Sequence, residues 1–115
     1  MGKYVDVAKI IDTPSALTQE SGDIIYHEIE KSFDRNETVT LDFCNIESMI
    51  TPFLNNAIGQ LYGKYKSDFI KEHLTLENFP PTKNSTLNIV ISNAKKFYEN
   101  QKLFSTTAKE VLNVD

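Results

Sequence analysis

Residues 38–63 determine the fold that the sequence predicts, and they read TVTLDFCNIESMITPFLNNAIGQLYG. In the first part of this stretch apolar side chains alternate with polar ones, which is the pattern of a half-buried strand. In the second part apolar residues recur at steps of three and four, which is the pattern of an amphipathic helix. The stretch therefore predicts a strand over residues 38–43 that leads through a short turn into a helix over residues 52–66.

The start of this helix carries its own signal. Thr51 can accept a hydrogen bond from a free backbone amide of the first turn, and Pro52 lacks an N–H at a position where none is needed. We therefore expect the helix to begin at Thr51 and Pro52, with Thr51 as its cap. Gly59 and Gly63 are expected to let the helix approach a neighbouring element closely. The expected buried side chains of this strand–helix unit are Leu41, Phe43, Ile58 and Leu61.

The rest of the chain continues the alternation of strands and helices. For residues 85–101, short-range alternation fits a strand, but the helical period covers a longer span and favours a helix. Residues 104–115 predict a short C-terminal helix or a frayed tail. The remaining predicted elements are a strand over residues 4–11, a helix around residues 24–33 capped by Thr18 or Ser21, and a strand over residues 73–78.

These elements predict an α/β fold in βαβαβα order. We expect one domain over residues 1–115, built on a small, mostly parallel three-stranded sheet with strand order 2-1-3, plus the short C-terminal helix. The composition agrees with such a domain, since 40% of the residues are hydrophobic and 24% are charged.

Charge and the first residues restrict the partners. A net charge of −4 gives no basic field that would collect phosphates, so we expect no nucleic-acid binding. Lys3, Asp6 and Lys9 interrupt any apolar run at the start, so we expect neither a secretion signal nor a membrane span. The expected location is the cytoplasm.

Few residues offer chemistry. Cys44 is the single cysteine, so no internal disulfide forms, and a packing or turn role is the default. Asp23 and His27 supply at most two metal ligands, and His73 lies in a different element. Asp42 ends a strand where open α/β sheets often bind ligands, but an Asp there more often caps a turn. We expect no catalytic residue, no cofactor and no metal, and hence no enzyme.

The same residues resemble a known family. The pattern over residues 41–63 is similar to the signature of the STAS-like domains of unknown function, and the resemblance extends over roughly residues 18–80. It implies a STAS-like α/β fold. The residues that carry it are Leu41, Asp42, Phe43, Ile46, Thr51, Phe53 and Gly59.

The wider STAS superfamily includes anti-sigma factor antagonists, in which a partner kinase phosphorylates a serine at the start of the corresponding helix. Thr51 matches that position. The antagonist pattern Asp-Ser-Ser-Gly is replaced here by Ile50, Thr51, Pro52 and Phe53, so a capping role for Thr51 is favoured over a phosphorylation site.

Two functions follow as hypotheses. The resemblance implies a non-enzymatic interaction or regulatory module that binds a protein partner, such as an anti-sigma factor or a kinase-like ATPase. Its candidate partner edge consists of Thr51, Asp42, Pro52 and Phe53. The alternative is a small inhibitor, immunity or phage-related protein whose acidic surface blocks a basic partner. The oligomeric state is left open, with a homodimer as one option.

Overall fold

The computed structural model describes the backbone of residues 2–114 and the side chains of residues 2–99. It has the predicted α/β fold with a small parallel sheet. The elements in chain order are β1 (Lys3–Asp6), α1 (Val7–Ile11), β2 (Ser15–Ala16), α2 (Gln19–Phe33), β3 (Val39–Asp42), β4 (Ser48–Met49), α3 (Thr51–Ala57), a 3₁₀ turn (Gly59–Gly63), α4 (Ser67–His73), β5 (Leu74–Glu77), a second 3₁₀ turn (Pro81–Lys83) and α5 (Asn84–Val114).

The main sheet has the order β1-β3-β5, with both strand pairs parallel. The predicted order 2-1-3 is wrong, because the strand within residues 38–43 lies at the centre and the first strand lies at an edge. Burial explains this order. In β3, Val39, Leu41 and Asp42 are all buried, whereas β1 buries Val5 alone and β5 has no buried residue.

The sheet has one covered face. Residues paired across parallel strands project to the same side, so Val5, Leu41 and Leu76 share the face that packs against the helices. The neighbouring positions point to the other side, where Tyr4 and Thr75 are exposed and Thr40 between them is half-buried. This side is called the open sheet face below. It is unusual, because parallel sheets are generally covered on both faces.

The first strand is shorter than predicted. It ends at Asp6, whose carboxylate accepts a hydrogen bond from the backbone N–H of Lys9 at 3.3 Å and caps α1. Residues 7–11 were expected to extend the strand, but they form this short helix instead. Val7 and Ile11 are both buried, and their four-residue spacing suits one face of a helical turn.

The predicted helix over residues 52–66 is divided. α3 ends at Ala57, the 3₁₀ turn Gly59–Gly63 follows, and α4 begins only at Ser67. The close approach expected at Gly63 is confirmed, because a Cβ there would lie 2.5 Å from a ring carbon of Tyr98 in α5. A Cβ at Gly59 would meet its neighbours at an ordinary 3.7 Å. The expected burial of the core side chains is confirmed for Leu41, Phe43, Ile58 and Leu61.

The last helix is continuous. The helical interpretation of residues 85–101 is confirmed, and the expected separate C-terminal helix is instead the end of α5. α5 packs against α3 and the 3₁₀ turn Gly59–Gly63, where its Val90 is buried. In the part of the chain that the structure describes, no helix combines the length and the apolar character that crossing a membrane requires.

Candidate functional site

The start of α3 is organised differently from the prediction. Ile50 occupies the N-cap position in an extended conformation, and no side chain of the described residues caps the helix. The reason is a strand contact, since the N–H of Ile50 donates to the carbonyl of Ala16 at 3.1 Å and extends the backbone through residue 50. Thr51 is therefore the first helical residue, and its predicted role as the cap is wrong.

The predicted partner edge is only partly at the surface. Thr51 is exposed and Pro52 is half-buried, so both can meet a partner. Phe53 is completely buried, which corrects its inclusion in the edge, because it supports α3 from within the core. Asp42 is also buried, and among the described residues none of its hydrogen bonds goes to Thr51.

A small second sheet that the sequence did not predict lies beside this helix start. β2 and β4 pair in parallel, with Ser15 opposite Ser48 and Ala16 opposite Met49. The carbonyl of Pro14 accepts a further hydrogen bond from the N–H of Glu47 at 2.7 Å. Because the strands pair in this register, the residues that directly follow them, Leu17 and Ile50, lie side by side.

Leu17 and Ile50 both line a cavity of about 330 Å³, which is called the β2–β4 groove below. They are 47% and 36% exposed, which is a large fraction for aliphatic side chains at one location. The opposite wall comes from the turn that leads into α5, and Glu47 and Lys83 are the charged residues of the lining. The apolar or proline residues that line the groove are Leu17, Ile46, Met49, Ile50 and Pro80.

Asp42 is the centre of a polar cluster at the carboxyl end of β3. Its Oδ1 accepts hydrogen bonds from the side-chain amide of Asn78 and from the N–H of Cys44, each at 2.9 Å. Its Oδ2 accepts from the hydroxyl of Tyr4 and from the Cys44 thiol. The bond to the Cys44 N–H spans two residues, so the prediction that Asp42 caps a turn is confirmed. Cys44 itself is exposed in that turn.

These hydrogen bonds fix the protonation states. Donation by Asn78, and then by Tyr4 and Cys44, holds the pKa of Asp42 well below its usual range. In return, the bond to the Asp42 carboxylate raises the pKa of Tyr4 to about 12. The same carboxylate raises the pKa of the Cys44 thiol. At neutral pH the carboxylate is therefore ionised and saturated with donors, and the thiol is protonated, which makes it a weak nucleophile.

The histidines do not assemble a site. His27 interacts with Glu30 at 3.2 Å, whereas Asp23 accepts hydrogen bonds from Asn56 and Gln60, so Asp23 and His27 form no pair. The ring of His73 stacks on Phe69 with the centroids 3.9 Å apart. Within the described residues, no group of three or more His, Cys, Asp and Glu side chains is arranged to hold a metal ion.

Comparison with known proteins identifies the family. No curated protein and no solved structure matches the chain. The family of STAS-like domains of unknown function (DUF4325) matches residues 21–83, which include β3, α3, β5 and most of the groove. The match covers more than half of the 115 residues, and the chain belongs to this family of STAS-like domains.

Proposed function

We propose that this STAS-like domain is a non-enzymatic regulatory module that binds a protein partner. The proposed binding site is the β2–β4 groove together with the exposed start of α3 at Thr51 and Pro52. The single observation that carries the proposal is the pair of exposed aliphatic side chains, Leu17 and Ile50, that line the groove. Protein interfaces have such apolar anchors at their centre and polar residues at the rim, as Glu47 and Lys83 are here.

The partner class follows from the family resemblance and from charge. Similarity to anti-sigma factor antagonists suggests an anti-sigma factor or a kinase-like ATPase. The net charge of −4 favours a partner whose contacting surface is basic, because opposite charges accelerate association and exclude wrong partners. The groove would receive a bulky apolar side chain of this partner.

The proposed recognition does not depend on phosphorylation. α3 has seven residues, and Thr51 makes no capping hydrogen bond that a phosphate would replace. Thr51 contributes as a neutral surface residue beside the groove.

Site-specific photo-cross-linking in the native host tests the proposal. A photoreactive amino acid replaces Leu17 in one variant and Ile24 in the control variant. Ile24 is a suitable control because it is 44% exposed, close to the 47% of Leu17, and lies on α2 away from the groove lining. We expect one protein to be captured from position 17, to be identified by mass spectrometry, and to bind the purified wild type. Equal yields of the same protein from both positions would contradict the proposed site.

The open sheet face favours a second candidate function, in which the protein is an inhibitor that blocks a basic partner. Asp6, Asp42 and Glu77 lie at matching register positions across the three strands, so negative charge gathers at one end of this face. Asp42 is buried, which leaves Asp6 and Glu77 to meet a partner. If Glu77→Lys abolishes partner binding and Leu17→Glu does not, the inhibitor function replaces the first proposal.

A further inference from the structure

The side chain of Tyr4 lies across the open sheet face. Tyr4 is paired with Thr40 in the register of β1 and β3, but its hydroxyl donates to the carboxylate of Asp42, two residues further along β3. The ring therefore runs diagonally over the sheet, from β1 towards the centre of β3. Thr40 is half-buried and Asp42 is buried on this otherwise uncovered face, as expected for residues beneath a ring in this position.

The hydrogen bond to Asp42 also fixes the orientation of the ring. Because one side of the ring faces the sheet, the other side faces solvent, and Tyr4 is 59% exposed. The open sheet face thus presents a flat aromatic surface that is already in place before a partner binds. A surface that needs no ordering loses less entropy on binding.

Two accessible carboxylates flank this ring. Asp6 follows Tyr4 on β1 and Glu77 lies at the matching position of β5, one on either side of Asp42. Neighbouring strands lie about 4.8 Å apart, so the backbones at Asp6 and Glu77 are roughly 10 Å apart, with the hydroxyl end of the ring between them. Asp6 is held by a hydrogen bond from the side-chain amide of Asn45 at 3.1 Å, and Glu77 is exposed.

We propose that the open sheet face binds an arginine side chain of a partner protein, with the guanidinium stacked on the Tyr4 ring and within reach of the Asp6 and Glu77 carboxylates. A guanidinium is planar, stacks on aromatic faces and bonds to carboxylates, whereas a lysine ammonium is a compact and strongly hydrated charge. Arginine therefore matches the ring as well as the negative charge. Arginine recognition rests on the second candidate function, in which this face meets a basic partner, and it is independent of the β2–β4 groove.

NMR titration of the isotope-labelled full chain with two synthetic peptides, hexaarginine and hexalysine, tests arginine recognition. The peptides carry equal charge, so a difference in affinity reports stacking on the ring and not charge alone. At low ionic strength we expect both peptides to shift the amide signals of Thr75 and Glu77. We expect hexaarginine to bind at least about threefold more tightly than hexalysine.

Two ring variants and one charge variant separate these contributions. Tyr4→Leu should abolish the preference for hexaarginine. Phe97→Leu is the matched control, because it removes a ring of similar exposure, 56%, on α5, and it should retain the preference. Glu77→Gln should weaken the binding of both peptides to a similar degree, whereas Glu72→Gln, an exposed residue before the opposite end of β5, should leave it unchanged.

Equal affinities of the wild type for the two peptides would contradict arginine recognition, as would signal shifts confined to residues outside the open sheet face. A folded Tyr4→Leu variant that keeps the preference would contradict it as well, and its amide spectrum shows whether it is folded. If arginine recognition fails in this way while Glu77→Lys still abolishes partner binding, the second candidate function stands without it.

A second copy of the chain also carries an arginine. Arg35 is the only arginine in the sequence and is exposed in the turn after α2. We expect the wild type to stay monomeric in sedimentation equilibrium, because a net charge of −4 on each copy opposes association. A wild type that dimerises, and that loses dimerisation in both Arg35→Lys and Tyr4→Leu, would overturn the proposal of a partner protein.

Discussion

Gly22 in α2 lies directly against the backbone of α3 at Phe53. A Cβ added to Gly22 would come within 2.6 Å of the Phe53 carbonyl oxygen and within 3.2 Å of the N–H nitrogen of Ala57. The two helices therefore touch through their main chains, and α2 makes more contacts with α3 than with any other element. This contact supports Phe53 in the core and, through it, the start of α3 beside the groove.

Gly22→Ala should destabilise the fold by about 1–3 kcal/mol, because the main chain of α3 cannot move away as a flexible side chain could. The loss should appear despite the gain in helix propensity of about 1 kcal/mol. Gly59→Ala is the matched control, since its Cβ would meet only ordinary contacts at 3.7 Å, and should leave the fold equally stable or slightly more stable. Urea denaturation measures both. Equal stability of the two variants would show that α2 and α3 are farther apart than described.

Two threonines provide a test of the helix starts. The hydroxyl oxygen of Thr18, one of the two predicted caps, accepts a hydrogen bond from the N–H of Ser21 at 3.0 Å and caps α2. Thr18→Ala should therefore cost about 1 kcal/mol of unfolding free energy. Thr51→Ala should cost less than about 0.5 kcal/mol, because Thr51 is exposed and caps nothing. Thermal and urea denaturation would contradict this difference if Thr51→Ala proved the more damaging change.

Aspartate at position 51 tests the role of phosphorylation. Thr51→Asp adds negative charge at the start of α3 but leaves the groove unchanged, so the affinity for the partner should stay within about twofold of the wild type. Titration calorimetry against the cross-linked partner measures this. A change of about tenfold, near 1.4 kcal/mol, would restore Thr51 as a charge-driven switch.

The carboxylate of Asp42 makes the folding stability of the protein depend on pH. Its pKa in the folded protein is lowered from the ordinary 3.8. The free energy that ionised Asp42 contributes to folding is therefore fully present well above pH 3.8. It is lost as the pH falls through and below that value. Asp42→Asn should show a smaller loss of stability than the wild type between about pH 5 and pH 2. Tyr4→Phe removes one donor, so the pKa of Asp42 should be lowered less, and the acid-linked loss of stability should be smaller than in the wild type and complete at a higher pH. Identical pH profiles for wild type and Asp42→Asn would contradict the cluster.

The sequence predicted the elements that have a clear period. Alternation in β3 and the apolar spacing of α2 are visible in single stretches, and Thr18 carries the chemistry of a cap. The strand order was missed, because it depends on which strand buries most of its side chains and not on any local pattern. The division after Ala57 was missed as well, because Leu54, Ile58 and Leu61 keep helical spacing across the junction.

The candidate site was less predictable than the fold. β2 and β4 have two residues each, which is too short for any alternation to be recognised. Their pairing extends the backbone through Ile50 and so moves the cap position away from Thr51. The groove also brings Leu17 together with Pro80, residues far apart in sequence, so no local motif could reveal it. The polar turn at Asp42 was predictable, because aspartate commonly bonds the backbone two residues later.

The central claim, that the β2–β4 groove binds the partner, is tested most directly by titration calorimetry of the identified partner against two matched variants. Leu17→Glu and Ile24→Glu each replace an exposed aliphatic side chain by a carboxylate, and both should remain folded, because neither side chain belongs to the buried core. The account predicts that Leu17→Glu weakens binding at least tenfold, about 1.4 kcal/mol, while Ile24→Glu binds like the wild type. Equal affinities for the two variants would contradict it.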